Sequence, residues 1–147
     1  MGFRRKARVA ALQVLYELAF SAHDPAESLA RLAEERALPP EACDFSSELI
    51  QGVLGSKSKL DGFIERFAPA FPVEQMAIVD RTILRLAIFE ILFRASTPVK
   101  VTINEAVELA KVYGGDSSPR LVNGVLGSIV AKQETNKIDG TKHDGVP

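Results

Sequence analysis

Few residues in this chain are typed and spaced for bond-making chemistry. The two histidines, His23 and His143, are far apart, one beside a predicted helix start and the other near the C-terminus. Neither has neighbours at metal-ligand spacing or belongs to a nucleophile–base pattern. Cys43 is the only cysteine, which excludes an intramolecular disulfide and a cysteine zinc cluster and favours a reducing compartment. Gly114-Gly115 precedes a predicted helix, an arrangement whose backbone amides can cradle phosphate. The pair lacks the lysine and the preceding strand of a nucleotide-binding loop, and closing a helix explains these glycines more simply. No catalytic residue, metal site or cofactor is expected.

Binding chemistry is better represented. Arg4, Arg5, Lys6 and Arg8 all precede the first acid, Glu17, in a chain whose formal net charge is only −1. A near-neutral protein with one basic tip can grip phosphate locally without coating itself on every polyanion. At about 100° per residue, Arg4, Arg5 and Arg8 share a side with Leu12, Leu15 and Tyr16. A stripe that changes from apolar to cationic places the helix start beyond the core, or leaves it disordered. Cations there also oppose the helix dipole, by roughly a few tenths of a kcal/mol each, a conflict that a visiting anion would relieve. From charge alone, a solvated tail that aids solubility explains the run equally well.

A second group lies late in the chain. Gly114 to Ser118 offers backbone N–H groups, and Arg120 and Asn123 follow, pointing away from the apolar positions Val122, Val125 and Leu126. Tyr113 offers a ring face for an unstacked base, although a half-buried helix end accounts for it as well. Asp80, Arg81, Arg85 and Glu90 are charges in an apolar segment. A structural role is the default for most of them, with Glu90 and Arg94 spaced as an i,i+4 pair. Gly124 and Gly127, opposite the apolar positions, allow close approach by a partner or are simply tolerated.

Helices must position these groups, because no segment sustains a two-residue alternation. A first helix is expected from about residue 4 to 20, with Val9, Leu12, Leu15, Tyr16 and Ala19 on its buried side. Asp24-Pro25 reads as cap and first-turn proline of a second helix that Pro39-Pro40 ends. Phe45, Leu49, Val53, Leu60, Ile64 and Phe67 stay in phase, which predicts one long helix from about 41 to 67 despite Gly52 and Gly55. Pro69 and Pro72 break it, and a short helical turn follows at 73–76. Residues 78–93 are apolar almost all round, as in a central helix contacted from several sides. Thr102-Ile-Asn-Glu105 has the form of a capping box, and Ser118-Pro119 opens the last helix. Residues 133–147 are polar and aperiodic and read as a disordered tail after a domain spanning 1–132. Six helices and one helical turn predict a single all-α domain, with sub-bundles divided near Pro69–Pro72.

Taken together, four blocks resemble the NusB family: Arg-Arg-Lys-Ala-Arg-(x)4-Gln-Val-Leu-Tyr at 4–16, Val-Asp-Arg-Thr-Ile-Leu-Arg-Leu-Ala-Ile-Phe-Glu-Ile-Leu at 79–92, Val-Thr-Ile-Asn-Glu-Ala-Val-Glu-Leu-Ala-Lys at 101–111 and Leu-Val-Asn-Gly-Val-Leu at 121–126. They stand in the family order and cover roughly residues 4–132. The resemblance implies an all-α fold of about seven helices in two three-helix sub-bundles. It also implies an antitermination factor that binds single-stranded boxA RNA with NusE, a small-subunit ribosomal protein. That complex joins RNA polymerase and other Nus factors, especially on ribosomal RNA operons. By motif, Arg4, Arg5, Lys6 and Arg8 fall in the family's RNA-binding start. Tyr16, Tyr113, Arg120 and Asn123 fall near its RNA surface, and Asp80 falls at the junction of RNA and NusE.

Two positions depart from the family pattern. Ser117 replaces an acid before the last helix, and Leu121 stands where phenylalanine is usual. Other readings are the helical domain that precedes the catalytic domain of some ribosomal RNA methyltransferases, and a purely protein-binding adaptor. The chain ends before a cofactor-binding methyltransferase domain could begin, and no apolar run suits a signal peptide or a membrane span. A soluble, cytoplasmic, non-enzymatic protein is therefore expected, as monomer or homodimer.

Overall fold

A computed structural model of the chain describes residues 2–138; His143 and the expected tail beyond residue 138 lie outside the described residues. Regular structure among the described residues is entirely helical: α1 (Phe3–Leu18), α2 (Pro25–Arg36), α3 (Pro40–Gly55), α4 (Lys57–Phe67), a 3-10 turn at Val73–Gln75, α5 (Ile78–Phe93), α6 (Val99–Tyr113) and α7 (Ser118–Ile138). The expected all-α class and the seven helices are found. The chain divides into two units after Gly55 rather than at Pro69–Pro72. Three helices therefore lie in the first unit, and four with the 3-10 turn lie in the second.

The first unit is built on α1 against α3. Ala7, Ala10, Ala11, Leu12, Val14 and Leu15 of α1 are buried, a face wider than the predicted stripe. Ala42, Phe45, Leu49, Ile50 and Val53 of α3 meet it. Val9 is only half-buried, and Tyr16 and Ala19 stand exposed. Asp24 caps α2 as its sequence predicts, its carboxylate accepting from the Glu27 N–H at 3.1 Å with Pro25 in the first turn. The helix ends before the prolines. Ala37 takes a left-handed conformation (φ 51°), and the Leu38 N–H bonds back to the Ala33 carbonyl at 3.0 Å. Pro39 supplies carbonyl contacts to the next helix, and Pro40 opens it.

The long helix predicted over 41–67 is two. Ser56 (φ −120°, ψ 16°) leaves helical geometry for a single residue, and Leu49 and Val53 are buried in α3 as Leu60 and Ile64 are in α4. Periodicity cannot register so short a break, but two glycines and a serine within five residues make it inexpensive.

In the second unit α5 packs against α4, α6 and α7, which accounts for its nearly all-round apolarity. Ile83, Leu84, Leu86, Ala87 and Ile88 are buried there with Val122, Val125, Leu126 and Ile129 of α7. The Arg85 guanidinium makes a two-pronged pair with Asp61 of α4, at 2.7 and 3.0 Å. Arg81 donates to the Val73 carbonyl at 3.3 Å and ties down the 3-10 turn. Thr102 opens no helix: α6 begins three residues earlier, after Pro98, and Thr102 is buried inside it. The proline at the N-cap position outranks the later capping-box pattern. At the other end α7 continues through Ile138, so residues 133–138 extend a helix expected to stop at 132.

Candidate nucleic-acid interface

Five of the nine expected site residues lie in the first unit: Arg4, Arg5, Lys6, Arg8 and Tyr16. All five are on α1, which is helical from Phe3, so the basic run is an ordered first turn and not a loose tail. Arg5 and Lys6 are exposed and Arg4 is half-buried. The Arg4 guanidinium lies 5.4 Å from the Phe45 ring centre and 5.9 Å from that of Phe3; Arg8 lies 5.3 Å from the same Phe45 ring.

Arg8 departs from expectation, being only 5% exposed and so inside the core rather than projecting past it. The flat, weakly hydrated face of a guanidinium can be buried on an aromatic ring, and Phe45 supplies that ring. The stripe is continuous because Arg8 belongs to the packing. Arg4 is half-buried beside it, while Arg5 and Lys6 are exposed.

Tyr16, 42% exposed, stands edge-on to Phe20 with ring centres 5.1 Å apart. Phe20 is also exposed and escapes sequence reasoning as a site residue, although its i,i+4 spacing from Tyr16 is the available signal. Next to Tyr16, Glu17 gathers a network invisible in the sequence. Its carboxylate accepts from His23 Nδ1 (2.5 Å), Ser28 Oγ (2.8 Å) and Arg31 Nη2 (2.7 Å), linking α1 to α2 and to the connection between them. These bonds, His23's foremost, hold the Glu17 pKa down at about 2 against an ordinary 4.5. His23 is therefore structural and not isolated.

The other four residues are in the second unit. Tyr113 ends α6 and is 39% exposed; Arg120 and Asn123 are exposed on α7, opposite buried Val122, Val125 and Leu126. Gly124 and Gly127 face open space. Gly114 is not a left-handed cap, its backbone being extended (φ −97°, ψ −171°). Close approach is what requires glycine there. A Cβ would fall 2.5 Å from both Cβ and Oγ of Ser118 and 2.9 Å from the Ala110 carbonyl oxygen.

Asp80, expected to face a partner, has an internal bond. Its Oδ1 accepts from the Ser118 hydroxyl at 2.6 Å, and that hydroxyl accepts from the Gly115 N–H at 2.9 Å. Ser117 is exposed beside this turn, and Leu121 is half-buried. No group of three or more His, Cys, Asp or Glu residues is placed to hold a metal among the described residues. Each unit by itself offers exposed cations and a ring face, the chemistry of binding an anion or an unstacked base.

The NusB family model matches residues 5–131. A protein of Roseiflexus sp. (strain RS-1) called transcription antitermination protein NusB is 50% identical over 131 residues, 88% of this chain and 92% of its own length. The chain belongs to the NusB family. Its fold agrees: Thermotoga maritima NusB superposes with a TM-score of 0.81 at 33% identity, over 88% of this chain and 91% of that one. A structure described as antitermination factors NusB and NusE in complex with dsRNA matches with a TM-score of 0.80 at 26% identity, over 88% and 97% of the two chains. The family match begins at Arg5 and ends at Ala131, and so takes in most of the basic turn together with α6 and α7 as far as that residue. A NusB-family chain thus carries its arginine-rich start on a fully formed helix, with Arg8 turned into the packing.

Proposed function

We propose that this NusB-family chain is a transcription antitermination factor that binds boxA RNA together with NusE and supports transcription of ribosomal RNA operons. The 50% identity, over most of both chains, to a protein of that name carries the reading. Arg4, Arg5 and Lys6 neutralise backbone phosphates, and Arg8 holds the turn that presents them. Tyr16 and Tyr113 offer ring faces to bases, Arg120 adds a cation, and Asn123 offers an amide beside it. Asp80 lies toward NusE. The protein works by binding and catalyses nothing, and it acts in the cytoplasm with the elongating polymerase. No described helix is long and apolar enough to cross a membrane.

Splayed bases suit dispersed rings and arginines better than the deep groove of an A-form duplex, so single-stranded RNA is the expected ligand. A solved relative was described with dsRNA, so both forms belong in the test. Anisotropy titrations with boxA-like RNA, its scrambled version and its perfect duplex, each with and without NusE, are the experiment. The reading expects the single-stranded boxA-like RNA to bind most tightly, and more tightly with NusE. Indifference to RNA sequence and to NusE would contradict it.

A further inference from the structure

The α6–α7 turn is held by a hydrogen-bond relay through a buried hydroxyl. Ser118, the first residue of α7, is 3% exposed, and its hydroxyl both donates and accepts: to Asp80 Oδ1 on α5, and from the Gly115 N–H within the turn. The Ser118 N–H in turn donates to the Gly115 carbonyl at 3.1 Å, so the two residues are bonded reciprocally. The space is tight, since a Cβ on Gly114 would overlap the Ser118 side chain. Tyr113 lies one residue before this turn, and Arg120 two residues after Ser118. Both exposed groups therefore take their direction from a point fixed by one buried hydroxyl.

We propose that Ser118 and Asp80 are positioning residues for RNA: the Asp80–Ser118–Gly115 relay sets the angle at which Tyr113 and Arg120 meet it. The proposal rests on the RNA-binding reading of that surface. A buried hydroxyl with both bonding directions satisfied has one rotamer and one place, whereas alanine at 118 would release the Gly115 amide and leave the Asp80 oxygen without its donor. A preorganised surface binds more tightly than one that must be ordered on contact. The relay needs an acceptor oxygen at position 80, not a charge. Asparagine should therefore serve where alanine fails.

The test uses the full chain and a boxA-like single-stranded RNA oligonucleotide, with folding checked by circular dichroism and the Gly115 amide followed by NMR hydrogen exchange. Ser118→Ala and Asp80→Ala should each weaken RNA binding by about tenfold, the scale of one buried hydrogen bond. Ser118→Ala should also speed exchange at Gly115. Asp80→Asn should restore most of the affinity that Asp80→Ala removes. Ser118→Ala placed on Tyr113→Ala/Arg120→Ala should weaken binding by much less than it does alone, because the groups it positions are gone. Unchanged affinity in Ser118→Ala, or an equal effect with and without the Tyr113 and Arg120 side chains, would overturn the relay while leaving the RNA-binding reading intact. If neither Arg120→Ala nor Tyr113→Ala alters affinity, the RNA reading of this surface fails and the relay falls with it.

Discussion

Glu17 and Ala37 are the two residues of the first unit with the clearest consequences for stability. The Glu17 carboxyl titrates near 2 in the folded chain and near 4.5 when free of its partners. A lowered carboxyl pKa stabilises the fold above its unfolded value, and that contribution disappears as pH falls from about 4.5 toward 2, where the unfolded chain binds more protons. Urea midpoints taken across that window should fall with pH, and more shallowly in Glu17→Gln; equal slopes would refute the network. Ala37 holds a left-handed φ of 51° that glycine adopts freely. Ala37→Gly should raise stability by about 1 kcal/mol, after the greater unfolded-state freedom of glycine is offset. The check is a higher urea midpoint at an unchanged m-value. Sequence reasoning finds Asp24 because a cap and its partner are three residues apart. Glu17 escapes it because its partners lie 6, 11 and 14 residues away and meet only once α2 folds back on α1.

At the scale of elements, the helices themselves are legible in the sequence and their ends are not. The apolar spacing of α7 places Val122, Val125, Leu126 and Ile129 inside, as observed. Leu126→Ala should therefore cost about 2–5 kcal/mol in denaturant unfolding. Boundaries fail where two local signals compete. Pro98 starts α6 before the capping-box pattern at Thr102 can, and a one-residue interruption at Ser56 is too short for the sequence periodicity to register. Arg8 illustrates the same limit in a side chain: its type says solvent or phosphate, and only the arrival of Phe45 from α3 says core. Gly114 is legible as a helix-ending glycine, but the reason for glycine there is a neighbour four residues on. Gly114→Ala must displace Ser118 or the end of α6, and should lower stability by about 1–3 kcal/mol as an overpacked site. A neutral result in thermal unfolding would show that the turn is looser than its close approach implies.

For the whole molecule, a net charge of −1 conceals a concentration of cations on the first turn of α1. The family is readable from four sequence blocks, each a short run of residues that the fold keeps together. The surface roles proposed for Tyr16, Tyr113, Arg120 and Asn123 are less so, because an exposed polar or aromatic residue has many uses. On the proposed function NusE strengthens RNA binding, and such coupling is reciprocal and typically about 5–150-fold, so boxA-like RNA should tighten NusE binding by the factor that NusE tightens RNA. Paired calorimetric titrations check that equality.

The most direct test of the central claim is the salt dependence of boxA-like RNA binding in the unaltered chain and in Arg4→Ala/Arg5→Ala/Lys6→Ala. Each phosphate neutralised on a single strand releases counterions and steepens the log–log slope by about 0.7. The unaltered chain should bind far more weakly as salt rises. The triple variant, with helicity intact, should bind more weakly along a line flatter by about 0.7 for each phosphate it no longer neutralises. An identical slope and affinity in the folded variant would contradict RNA binding through this helix start.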